Sequence, residues 1–305
     1  MDTGGTVMEK TILQYQKAFN SIVDRLKGNS SVLAVMVFGS MVTGDLWDES
    51  DIDLFVILDT KMAQIKNIYT EEKNVAVHIK VMSKNKFLQL YEEDIRGGFI
   101  HRIFASSRLV FSKDLDITSK YDNGRYYPDL DRERWSMVYL GNLLKSIGLC
   151  KKYIQNHGIY TAYTAAVKTV EEFAKLFVNS SGYMINKDAM TMAMNLNNNF
   201  KICVDNLFFS NNDKEEIISS TLKFVQGCVD DSIRNYSGVL IDFMNEKDVF
   251  LSSEDIGNDK LFNNYDINME EILNKLWEKS IIKKDTRDYR SEDGKTLFKE
   301  NVYFI

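Results

Sequence analysis

Asp51 and Asp53, two aspartates separated by one residue, follow the pair Gly39–Ser40 after a gap of ten residues, 41–50. Each pair adjoins an apolar run. Val32–Phe38 leads into the glycine, and Ile52 with Leu54–Leu58 carries the aspartates. Alternate side chains of a strand face the same way, so both carboxylates would share a face while Ile52 enters a core. Two hard oxygen ligands side by side repel each other unless a cation lies between them. Mg²⁺ bound by one or two carboxylates plus substrate phosphates is the usual solution. Gly39 lets the backbone turn sharply and come close to a ligand, and Gly44 offers a second close approach. Ser40 brings a hydroxyl to the point where a helix would begin and backbone N–H groups are free, a setting that suits phosphate. A phosphate cradle and a Mg²⁺ pair on neighbouring strands suit metal-dependent phosphoryl or nucleotidyl transfer. The plain alternative is a surface turn followed by a solvated acidic strand start.

The elements that must hold these residues can be read from periodicity. Val32–Phe38 is short, apolar and rich in β-branched residues, which predicts a buried strand, and Ile52–Leu58 predicts a second. Before them, Lys10–Leu26 carries Ile12, Tyr15, Phe19, Ile22, Val23 and Leu26 at helical spacing, and Gly28 is its stop. The polar segment 60–73 reads as helix or loop. Val75–Met82 alternates, with Val75, Val77, Ile79 and Val81 on one face and Ala76, His78, Lys80 and Met82 on the other. Residues 84–111 read as helices broken at Gly97–Gly98, and Leu109–Asp114 as a short closing strand.

Gly-Ser, the gap and Asp-x-Asp, each fused to an apolar strand, resemble the nucleotidyltransferase superfamily typified by DNA polymerase β. Ser40-x-x-x-Gly44 looks most like the aminoglycoside- or kanamycin-type adenylyltransferases and uncharacterised bacterial nucleotidyltransferase-like proteins. The resemblance implies an α/β (α+β) nucleotidyltransferase domain with a small mixed sheet. It implies Mg²⁺ on Asp51 and Asp53, and ATP whose β- and γ-phosphates rest on Gly39, Ser40 and Gly44. AMP would pass from ATP to a hydroxyl of a small-molecule acceptor, with release of pyrophosphate. The family's third strand supplies a third carboxylate that helps the attacking hydroxyl lose its proton; here that face offers Ala76 and His78. Neutral histidine can take a proton near pH 7 and can also ligate a metal. The competing reading is a catalytically degenerate nucleotide-binding or regulatory protein. A protein-modifying nucleotidyltransferase of the toxin–antitoxin kind is a third. His101, Arg102 and Arg108 could line such a site or reach a triphosphate, or be helix surface.

Residues 1–118 are thus expected to form the nucleotidyltransferase domain. The charged stretch 119–133, with Asn123–Gly124 and the single proline, Pro128, reads as a linker. Residues 134–246 show i, i+3, i+4 apolar repeats over Trp135–Ile154, Tyr160–Val178, Ala189–Phe208 and Lys214–Met244. They resemble the α-helical bundle domain that follows the catalytic domain in kanamycin- and streptomycin-type adenylyltransferases. In some relatives a bundle glutamate serves as base for the acceptor. Glu171 and its neighbour Glu172 are the candidates here, or else i, i+4 partners of Lys168 and Lys175. Residues 247–305 read as a small module, a helix at Ile267–Trp277 and a hairpin around Ser291–Gly294, like the end of a winged helix.

The formal net charge of −6 argues against an extended nucleic-acid surface, although Lys283, Lys284, Arg287 and Arg290 would share one strand. The charge is compatible with cationic acceptors. Cys150, Cys203 and Cys228 have neither zinc nor disulfide spacing and read as reduced core thiols. No stretch has the length of a membrane span, and the N-terminus lacks a signal pattern, so the expected location is the cytoplasm. An oligomer stays open.

Overall fold

The structure is a computed structural model and describes residues 12–62, 64–93, 96–185, 188–291 and 293–305. Lys10 and Thr11 of the expected first helix and Glu292 of the hairpin turn lie outside the described residues. The chain divides into two compact units, one ending at Tyr127 and one spanning Pro128–Ile305.

The first unit runs α1 (Ile12–Gly28), β1 (Val32–Phe38), α2 (Ser40–Thr43), β2 (Ile52–Leu58), β3 (Lys66–Glu72), β4 (Val75–Ser83), α3 (Lys84–Glu93), α4 (Phe99–Ser106), β5 (Arg108–Ser112) and α5 (Leu115–Gly124). Its sheet has the order β3-β4-β2-β1-β5. Only the β2–β4 pair is parallel, so the sheet is mixed as expected. The alternation of each strand feeds two cores. Val35, Val37, Ile52, Leu54, Val56, Val77 and Val81 pack with Tyr15, Phe19 and Ile22 of α1. Ala34, Met36, Phe38, Phe55, Ile57 and Met82 pack on the other face with Phe87, Phe104, Ile117 and Tyr121. Asp53 belongs to this second face by the strand period, one step before Phe55.

Segment 60–73 departs from the expected helix or loop: residues 66–72 are a strand. β3 is exposed along most of its length, so it carries no apolar alternation to betray it. It is an edge strand whose order comes from backbone pairing with β4, from Lys66↔Val81 to Glu72↔Val75. The two-residue turn between them, Lys73–Asn74, has φ of 49° and 62°. Positive φ at both positions matches the right-handed strand twist of a tight hairpin.

The second unit runs α6 (Asp129–Gln155), α7 (Ile159–Ser180), α8 (Ala189–Leu196), α9 (Asn198–Phe209), α10 (Lys214–Tyr236), α11 (Gly238–Lys247), α12 (Ser253–Gly257), α13 (Met269–Glu278), β6 (Lys283–Arg290) and β7 (Thr296–Phe304). Two expected long helices are each divided. Asn197 interrupts the first, its side chain accepting from the Phe200 backbone N–H as a cap. Ser237 interrupts the second, its hydroxyl donating to the Ile233 carbonyl at 2.6 Å. Residues 134–246 and 247–305 share one core. Leu140 and Leu143 of α6, Phe173 of α7, Ile272 and Leu276 of α13 and Tyr303 of β7 are buried in the same apolar cluster. Segment 119–133 is helical at both ends, leaving 125–128 between α5 and α6.

Candidate metal and nucleotide site

Asp51 and Asp53 stand at the start of β2, and the parallel register sets Asp53 beside His78 of β4. Their side chains meet, His78 Nδ1 lying 3.2 Å from Asp53 Oδ1. One ligand atom from each of Asp51, Asp53 and His78 lies within 4.8 Å of the others, and all three residues are partly buried. Two carboxylates and an imidazole at this spacing are a fitting donor set for a divalent cation. His78 therefore shares the face of Asp51 and Asp53, at the position where the family resemblance calls for a third carboxylate.

The row continues across the sheet. Tyr69 of β3 pairs with His78, and its ring lies parallel on the imidazole, centroids 4.5 Å apart at an interplanar angle of 8°. Asn67 of β3 brings Oδ1 to 3.2 Å from His78 Nε2 and 2.9 Å from Lys80 Nζ. Sequence reasoning missed Asn67 and Tyr69 because the strand that carries them went unread. Lys80 was within reach, since it falls on the His78 face of the alternating β4.

The glycine–serine turn closes against the same carboxylate. Gly39 has φ 72°, in the left-handed region. A Cβ on it would overlap Oδ2 of Asp53, so glycine answers to both the backbone conformation and the close approach. Ser40 opens the four-residue α2, and Gly44 ends it at φ 83° with its N–H bonded to the Ser40 carbonyl at 2.9 Å. Ser40 is partly buried and Gly44 exposed. Gly39 and Ser40 thus sit at the end of β1, whose Phe38 pairs with Asp53.

The loop between α2 and β2 is held from beneath. The Tyr15 hydroxyl of α1 lies 2.8 Å from the Trp47 carbonyl and 2.9 Å from the Ser50 carbonyl. The Trp47 N–H in turn donates to the Ser50 hydroxyl at 3.0 Å. Burial, then the charges of Asp48 and Asp51, push the Tyr15 phenol above its ordinary range, so it stays a donor. Tyr15 is legible in the sequence only as one more apolar helix position; its role as the anchor of residues 47–50 is tertiary.

Other candidates resolve differently. His101 is buried; its Nδ1 accepts the Gly97 N–H at 2.7 Å, which leaves Nε2 as the donor toward the Tyr126 carbonyl at 3.2 Å. It pins a chain turn, which corrects the reading as site lining or helix surface. Arg102 is partly buried and Arg108 exposed. Glu171 lies on α7 of the second unit, about half exposed and 3.6 Å from Lys168. Its neighbour Glu172 is buried, with Oε1 2.7 Å from Lys168 and 2.9 Å from Lys175. The hairpin cations face partners of their own. Arg287 meets Asp255 and Glu300, each at 2.7 Å, and Lys284 meets Asn274 at 2.8 Å. Burial pushes the Cys150 and Cys203 thiols up to about 11, as inert core thiols require.

Residues 20–116 match the family model described as polymerase beta, nucleotidyltransferase. The first unit thus carries a nucleotidyltransferase-superfamily domain with a mixed sheet, and a helical region follows it. A nucleotidyltransferase-like protein from Exiguobacterium sibiricum 255-15 has a similar fold, with TM-score 0.62 over 95% of this chain and 99% of that one, at 14% identity. No curated protein shows significant sequence similarity to this chain. Among the described residues no helix is long and apolar enough to cross a membrane.

Proposed function

We propose that the chain is a metal-dependent nucleotidyltransferase acting in the cytoplasm, moving a nucleoside monophosphate, AMP from ATP, to a hydroxyl of a small-molecule acceptor. The observation that carries this reading is the convergence of Asp51, Asp53 and His78 beside the Gly39–Ser40 turn. Asp51 and Asp53 would hold a divalent cation, for which Mg²⁺ is the expectation, and His78 completes the donor set. Such an ion, when bound, supplies charge neutralisation to the triphosphate oxygens and to the departing pyrophosphate. Ser40 would hydrogen-bond a β- or γ-phosphate oxygen, with Gly39 and Gly44 keeping that approach free of side chains. The acceptor oxygen forms a bond to the α-phosphorus as the α–β phosphoanhydride bond breaks, and the hydroxyl proton passes to a base. On the acceptor side Glu171 is the proposed residue of its pair, because Glu172 is buried between two lysines while Glu171 keeps an exposed carboxylate. Catalysis of this kind is mostly positioning and electrostatic stabilisation.

His78 in the third position also favours a second reading, a domain that binds nucleotide without transferring it. Calorimetric titration with ATP and divalent cation, then assay of pyrophosphate release over a panel of aminoglycosides and lincosamides, separates the two. Metal-dependent binding with release requires the enzyme. Binding without release by any acceptor favours the silent domain, and no metal-dependent binding overturns both.

A further inference from the structure

We infer that the site is built for a first-row transition cation of the Mn²⁺–Co²⁺ class in preference to Mg²⁺, ligated by Asp51, Asp53 and Nδ1 of His78, with Asn67 as the residue that turns Nδ1 toward the ion. The inference rests on the metal-dependent reading above and changes the ion from the Mg²⁺ expected there.

The tautomer follows from a donor that cannot accept. A lysine ammonium carries only donors, so the Asn67 atom 2.9 Å from Lys80 Nζ is the amide oxygen in its accepting role. His78 Nε2 lies 3.2 Å from that same oxygen and must carry its hydrogen to bond there. In a neutral imidazole the remaining nitrogen then presents a lone pair. That nitrogen, Nδ1, faces Asp53 Oδ1 at 3.2 Å. With Nε2 engaged by Asn67, Nδ1 and Oδ1 are two ligand atoms that one cation can take together with a carboxylate oxygen of Asp51. Tyr69, stacked parallel on the imidazole, holds the plane of the ring. The orienting group and the ligands come from three adjacent strands, β3, β4 and β2, so backbone pairing spaces them.

The donor set then bears on the ion. Mg²⁺ is hard, oxygen-seeking and reluctant to shed water, whereas first-row transition cations take imidazole and carboxylate together. A histidine whose other nitrogen is fixed by an acceptor is the usual way a protein orients an imidazole ligand. Oxygen ligands alone would give Mg²⁺ all it needs, so the imidazole changes selectivity more than it changes total charge.

The test uses the untagged full chain with metal salts alone. Calorimetric affinities should rise from Mg²⁺ through Mn²⁺ to Co²⁺. Mn²⁺ bound to the wild type should show an imidazole-nitrogen coupling in pulsed electron paramagnetic resonance. His78→Ala should weaken Co²⁺ binding by about 10- to 100-fold while changing Mg²⁺ binding far less, flattening the series. Asn67→Leu should weaken Co²⁺ about tenfold with unchanged melting temperature, and Asn67→Asp, which keeps an acceptor oxygen, should restore it. Bound Mn²⁺ without nitrogen coupling overturns the inference, and that measurement needs no variant to fold. So does a His78→Ala variant that loses Mg²⁺ and Co²⁺ affinity equally. A protein that transfers nucleotide on Mg²⁺ without nitrogen coupling keeps the proposed function and loses this inference. One that shows the coupling but binds no nucleoside triphosphate does the reverse.

Discussion

The β2 site and the second unit treat their carboxylates in opposite ways. On β2, Asp51 and Asp53 are gathered with an imidazole to within 4.8 Å. In the second unit several carboxylates meet cations. Glu172 takes Lys168 and Lys175, Asp230 takes Lys275 and Lys279, and Arg287 lies between Asp255 and Glu300. Matched charge contributes to the folded chain, modestly where it is exposed and more where it is shielded. Gathered like charge raises the energy of the folded chain, and a bound cation offsets that cost. The contrast teaches where removing a carboxylate should be felt as lost binding and where as lost stability.

The largest effect should come from Asp53→Asn. It removes a ligand and one member of the carboxylate pair, so metal-dependent ATP binding should fall on the order of 100-fold or more. The melting temperature should hold or rise slightly. Equal calorimetric titrations of variant and wild type with ATP and divalent cation would erase the contrast.

Glu172→Ala should invert the pattern. It strands two lysines and leaves a void at a buried helix position, for a loss of about 2–3 kcal/mol in urea unfolding. Metal and ATP affinities should not change. Glu172→Met, which keeps the volume, should recover most of the loss, because Lys168 and Lys175 are partly exposed and their ammonium groups can return to water. A Met variant as unstable as the Ala variant would show that the charge matters more than the packing.

A smaller effect should follow Tyr15→Phe, which touches both sides of the comparison. The lost hydroxyl leaves the Trp47 and Ser50 carbonyls without that donor, costing about 1 kcal/mol of stability. It should also loosen the approach to Asp51, seen as a severalfold weaker metal affinity. Lost stability with unchanged metal affinity would make Tyr15 a packing residue alone.

The smallest concerns acid. Burial opposes the charged form of Glu270, but hydrogen bonds from Tyr303, Asn301 and Ser253 outweigh it and hold its carboxyl below the ordinary 4.5. The stabilisation is therefore complete above that pH and is lost as pH falls through the lowered folded value. Glu270→Gln should flatten the fall of melting temperature below about pH 4.5. Parallel curves for the two proteins would show that the carboxylate contributes nothing specific to holding Tyr303.

Gly39–Ser40, Asp51 and Asp53 were legible from the sequence alone, because strand period and glycine geometry are local properties carried by neighbouring residues. The two-sided sheet was legible too: Ile52, Leu54 and Val56 alternate with Asp53, Phe55 and Ile57, and hydrophobic burial enforces that alternation. The chemical candidacy of His78 could be stated, but its partners could not. Tertiary structure decided that Nδ1 meets Asp53 and that Asn67 and Tyr69 hold the ring, since β3 is exposed and only pairing with β4 defines it. It also decided that Tyr15 reaches across to residues 47–50 and that His101 is consumed by a chain turn. Burial leaves a period in the sequence because it repeats along an element; a single hydrogen bond between distant residues leaves none.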